Sequence, residues 1–122
     1  MNYRILALAA ALTIPGIANA HEPRPGPNGG TLVDAGAHHV ELVTKDTSVE
    51  VYLSDASDAP VLSEGFKGTA ILIVEGKPQR VALEPSGGSQ LLGQAAAPVA
   101  SPVKGAVQLT APDGTTSQAK FE

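Results

Sequence analysis

The sequence predicts an all-β domain, an antiparallel β-sandwich or small barrel of about seven or eight short strands. Three observations carry that prediction. Downstream of Thr31 the apolar residues recur with a period of two, not with the 3.6-residue period of a helix. Gly, Pro and Asp clusters punctuate these runs at short, even spacing. No segment combines a helical apolar stripe with a capping residue at its start.

In chain order, residues 31–34 form a short first strand. Residues 38–44 alternate: Val40 and Leu42 point one way, His39, Glu41 and Val43 the other. Residues 48–54 put Val49, Val51 and Leu53 on one face, opposite Glu50 and Tyr52. Residues 68–75 are apolar on both faces, the pattern of a central strand. Residues 79–84 set Val81 beside Leu83, and residues 105–110 set Val107 beside Leu109. Residues 90–92 add a short strand, and 115–121 close the chain with Ala119 and Phe121 facing in. Tight turns fall at Glu75-Gly76-Lys77-Pro78, at Ser86-Gly87-Gly88-Ser89 and at Pro112-Asp113-Gly114. The acidic stretch 55–67 is a solvated loop, and the Ala/Pro-rich stretch 93–104 is a crossing between sheets.

Residues 1–20 have the layout of a cleavable secretory signal. Residues 1–4 carry a positive charge at Arg4, residues 5–14 are almost wholly apolar, and Ala18-Asn19-Ala20 supplies small residues at a cleavage site. That apolar run is about half the roughly 20 residues that span a bilayer, so no membrane insertion is expected after cleavage. The working chain then begins at His21 and has 102 residues. It divides into an N-terminal arm, 21–30, and one β-domain, 31–122. Pro23, Pro25 and Pro27 in the arm are expected to discourage ladder pairing.

Without Arg4, seven basic residues face twelve acidic ones, a net charge of −5. An acidic chain with no basic cluster argues against a nucleic-acid partner and is compatible with binding cations. There is no cysteine, so thiolate sites and disulfides are excluded, and the single methionine, Met1, excludes a thioether Cu(I) site. No nucleophile elbow, phosphate-cradling loop or His-Glu-x-x-His helix is present, and no enzymatic activity is expected. A copper oxygenase would need an aromatic substrate platform, and only Tyr52, Phe66 and Phe121 follow residue 20.

The three histidines, His21, His38 and His39, all fall within a nineteen-residue span. A terminal His21 offers its α-amine and its ring Nδ1 to one ion, and the amine titrates near pH ~7.7–8.0, within reach of metal displacement. Amine and imidazole donors suit Cu(II), which heads the divalent affinity order; the same residues suit Zn(II). His39 is the expected second ligand, with Glu41 beside it on the same strand face as an oxygen donor. His38 shares the face of Val40 and Leu42 and reads as a histidine packing over the core rim.

The segments Gly26-Pro27-Asn28-Gly29-Gly30, Val33-Asp34-Ala35-Gly36 and His39-Val40-Glu41-Leu42 resemble the metal-binding region of periplasmic adaptor subunits of resistance-nodulation-division heavy-metal efflux pumps. They also resemble small standalone periplasmic proteins associated with heavy metals, which are similar over most of residues 21–122. The family pattern often has His where this chain has Asn28, and the adaptors carry a coiled-coil hairpin for which this chain has no room. The resemblance implies a periplasmic protein of heavy-metal resistance that binds a transition metal; the amine and imidazole donors put copper first and zinc second. Sequestration, or delivery to an efflux complex, would be its role. The alternative expectation is a metal-free periplasmic module that docks onto an envelope protein through an edge strand.

Overall fold

The computed structural model describes residues 22–122. The proposed signal segment and His21 lie outside the described residues. Among those described there is no helix, and nine strands form a single antiparallel sheet curled into a half-barrel. They are β1 (Arg24–Pro25), β2 (Thr31–Ala35), β3 (His38–Lys45), β4 (Ser48–Asp55), β5 (Lys67–Val74), β6 (Lys77–Pro85), β7 (Gln90–Gln94), β8 (Lys104–Thr110) and β9 (Thr116–Phe121).

Local chemistry sets the hairpins. Glu75 (φ 52°) and Gly76 (φ 78°) are both left-handed, the backbone that a two-residue type I′ turn requires, and Val74 pairs with Lys77 across it. The β2–β3 turn is Gly36-Ala37, with Gly36 at φ 60° and Ala35 opposite His38. At the β8–β9 turn the Thr115 amide donates to Asp113 Oδ1 at 2.9 Å, and the Gly114 amide donates to the Ala111 carbonyl.

The strands lie in the order β1-β2-β3-β4-β7-β6-β5-β8-β9. Strand β6 belongs to both halves of the curl. Its end, Glu84–Pro85, pairs with Leu92 and Leu91 of β7, and its body pairs with β5. The segment between β7 and β8 carries the chain from one half to the other, as its Ala/Pro composition suggests. It buries Ala95 and Val99, and their amides donate to the Thr47 and Asp46 carbonyls in the β3–β4 turn. Strand β5 lies between β6 and β8, the interior position expected from its apolar pattern.

The alternating residues meet inside the curl. Val40, Val49, Val51, Leu53, Leu72, Val81, Leu91, Val107, Leu109 and Ala119 are nearly or wholly inaccessible. Each fully buried Val or Leu contributes about 1.5–3 kcal/mol of hydrophobic stabilisation. Strand β2 packs against β9 where the two ends of the sheet approach.

One element departs from the sequence expectation. The proline-rich arm does enter the ladder: Arg24 pairs with Leu32 and Pro25 with Thr31. The ladder tolerates Pro25 because β1 is the outermost strand, where a missing amide donor breaks no continuing pairing. The chain then folds back as the loop 26–30 onto the outer face of β3. Gly26 and Gly30 permit that approach. A Cβ at Gly26 would strike the Glu41 carboxylate, and one at Gly30 would strike the Leu42 carbonyl.

Candidate functional site

The outer face of β3 carries the residues singled out by the sequence. His39 stands opposite Asp34 of β2 and Ser54 of β4, and Glu41 stands opposite Leu32 and Tyr52. Directly paired antiparallel residues share a face, so both side chains project outward, away from Val40 and Leu42. Both are nevertheless buried, because the arm and its loop cover them.

Glu41 and His39 are neighbours with separate partners. Glu41 is 1 % exposed. Its carboxylate accepts three hydrogen bonds at 2.8 Å, from the Asn28 amide, the Asn28 side-chain Nδ2 and the Gly30 amide. The charge is thereby compensated by oriented N–H groups, and both oxygens clasp the loop 26–30.

His39 sits among Asp34, Asp58 and Arg24. Its Nδ1 lies 2.8 Å from Asp58 Oδ1 and its Nε2 lies 3.2 Å from Asp34 Oδ1. Arg24 Nη2 is 3.2 Å from the same Nδ1 and 3.5 Å from Asp58 Oδ1, and Arg24 Nη1 is 3.8 Å from Asp34 Oδ1. One ring nitrogen cannot serve both neighbours at once. With a proton on Nδ1 the ring donates to Asp58; without one Nδ1 accepts from Arg24.

Sequence reasoning named His39 and missed Asp34, Asp58 and Arg24 as its partners. The Asp34 pairing carried a signal, since a two-residue turn at Gly36-Ala37 forces 34 opposite 39. Asp58 carried none: it sits in the loop read as solvated, its side chain is 64 % exposed, and it meets His39 across nineteen positions of chain. Its neighbour Asp55 instead stabilises its own loop. The amides of Ser57 and Ala59 donate to its Oδ1 at 2.8 and 3.0 Å, and these bonds hold the carboxyl below its ordinary pKa.

His38 faces the other way and meets the Phe66 ring edge-on, with centroids 5.4 Å apart and planes at 89°. Phe66 belongs to the core cluster, so His38 borders the core rim as the alternation implies.

Below the arm a cleft of about 530 Å³ opens between β1 and the loop that carries Asp58 and Pro60, with Tyr52 on its wall. Tyr52 donates to Glu50 Oε1 at 2.7 Å; that bond first, then burial and the Glu50 charge, raises its phenol above the ordinary value. A second cleft joins Glu22 and Pro23 to Val33 and Asp34, so these two residues lie beside β2 toward its His39 end. Among the described residues no three His, Cys, Asp or Glu side chains are grouped to hold a metal ion, and none forms a helix able to cross a membrane. Comparison of the chain with protein-family models, curated proteins and solved structures gives no match.

Proposed function

We propose that this is a periplasmic transition-metal-binding protein that takes a divalent ion, Cu(II) first and Zn(II) second, for sequestration or delivery to an efflux system. One observation supports the reading above the others: the orientation of the His39 ring. Its Nδ1 is engaged by Asp58, the outer-shell carboxylate that usually orients a metal-ligating histidine. Its Nε2 faces Asp34 Oδ1 at 3.2 Å. Two donors bonded at 2.0–2.2 Å to one ion lie roughly 2.9–3.5 Å apart, so this pair already has a bite suited to a first-row ion.

Nε2 and Asp34 supply two donors. His21 is the proposed source of the remainder, through its ring and, after signal cleavage, its α-amine. It directly precedes Glu22, which borders the same cleft as Asp34. In this reading Glu41 fixes the loop 26–30 over the site, as its three hydrogen bonds suggest. The secretory layout of residues 1–20 and the resemblance to heavy-metal periplasmic proteins support the location and the role.

The test is a Cu(II) titration followed by electron paramagnetic resonance on protein recovered from the periplasm, with its intact mass recorded. His39→Gln, Asp34→Asn and His21→Ala variants run beside it. One tight copper per chain with nitrogen hyperfine structure is expected, weakened at least tenfold in each variant. Weak binding, alike in all four folded proteins, sinks the reading and returns the metal-free docking module as the explanation to pursue.

A further inference from the structure

We infer that Arg24 is a built-in competitor for the metal: its guanidinium places a positive charge beside Asp34, Asp58 and His39 in the metal-free protein, and an incoming divalent ion displaces it. The inference rests on the metal reading above and names what tunes that site.

Arg24 Nη2 lies within hydrogen-bond distance of His39 Nδ1, at 3.2 Å, but the guanidinium's contacts to the two carboxylates are long. Its separations from the two carboxylates, 3.5 Å to Asp58 and 3.8 Å to Asp34, exceed the 2.7–2.9 Å of a strong charge-assisted bond. No two-pronged guanidinium–carboxylate fork is formed. Nη1 is buried with no hydrogen-bond partner among the described residues, so only one prong of the guanidinium, Nη2, is hydrogen-bonded there.

The surroundings also let it go. Arg24 sits on a two-residue outermost strand between Pro23 and Pro25, where few backbone bonds depend on its side chain. A third of that side chain is exposed, and Arg24 itself lines the 530 Å³ cleft, which has room for a swung-out guanidinium.

Like charge sets the two cations against each other. A divalent ion bonded to His39 and Asp34 would lie within a few ångströms of a guanidinium whose Nη2 is 3.2 Å from the same ring. Repulsion between a single and a double charge about 4–5 Å apart in a partly hydrated site is large enough to weaken binding by one to two orders of magnitude.

The experiment compares Cu(II) and Zn(II) affinities, by chelator competition, for the wild type, Arg24→Gln and Arg24→Lys, each purified from the periplasm and checked for fold by circular dichroism. Arg24→Gln should bind roughly ten- to hundredfold tighter, and that gap should narrow as salt is raised. Arg24→Lys, which keeps the charge, should stay within about threefold of the wild type, a rescue that a role in merely fastening β1 would not predict. If Arg24→Gln loses its fold, Arg24→Met, which retains the apolar stem, takes its place. Equal or weaker binding by the neutral variants, with the wild type still binding, overturns the competitor role and leaves the metal reading standing. No binding by any of the proteins removes both.

Discussion

Glu41 is a charge taken out of water and held by a loop. Truncation to Ala leaves the Asn28 and Gly30 amides facing an emptied space, each such loss costing about 1–3 kcal/mol. Glu41→Ala is therefore expected to lower unfolding free energy by about 2–4 kcal/mol in urea titrations, and Glu41→Gln by less. A loss under about 1 kcal/mol would show that the loop does not depend on the carboxylate. Asp113 gives a residue-scale prediction with a sign. The Thr115 amide lowers its pKa from 3.8, so its contribution to stability is present above the unfolded value and is lost as pH falls through the lower folded value. Asp113→Ala should be less stable than the wild type at pH 7, and the two urea midpoints should converge below pH about 4. Residues were unevenly legible. His39 stood out because histidines are few, and its pairing with Asp34 follows from one turn. The burial of Glu41 was hidden, because a carboxylate two positions from His39 on an outward face reads as a surface donor. That burial follows only once 26–30 is known to fold over it, and Gly26 and Gly30 are the marks of that approach.

At the scale of elements, period-two alternation located eight strands to within a few residues, since burying one face of a pleated strand leaves no other arrangement of Val, Leu and Ile. It could not find β1, whose two residues are too few to alternate and whose prolines argue for coil. Pairing there is a tertiary effect, made available by an unpartnered edge of β2. The β5–β6 turn offers a stabilising change. Glu75 carries a side chain at φ 52°, where Asn is better tolerated and Asn-Gly is the preferred type I′ pair. Glu75→Asn is expected to raise stability by about 0.5–1 kcal/mol, read as a higher thermal midpoint with no change in circular dichroism. A lower midpoint would mean that the Glu75 side chain makes a contact worth more than the backbone relief.

For the whole molecule, stability comes from one mainly aliphatic core, with Phe66 and Phe121, spanning both halves of the curl and with no disulfide to support it. Leu72 sits on the interior strand β5 and is wholly buried, whereas Leu62 is 72 % exposed. Leu72→Ala should cost about 2–5 kcal/mol and Leu62→Ser less than about 0.5 kcal/mol by urea denaturation. Comparable losses at the two sites would contradict a single core. Strand content and class were legible from pattern, but the order β4-β7-β6-β5-β8 was not, because β7 must leave its sequence neighbour β8 to lie between β4 and β6. Only the inward packing of all the strands decides that. The seam where β2 meets β9 has its own consequence. Glu22 and Glu122 line one cleft, so the first and last described residues are spatial neighbours. A few linking residues would join them, and new ends could be opened at the exposed Glu75-Gly76 turn. Such a circular permutant would keep every strand beside its present neighbours, because what closes this half-barrel is the meeting of its two margins and not the sequence in which the strands are made.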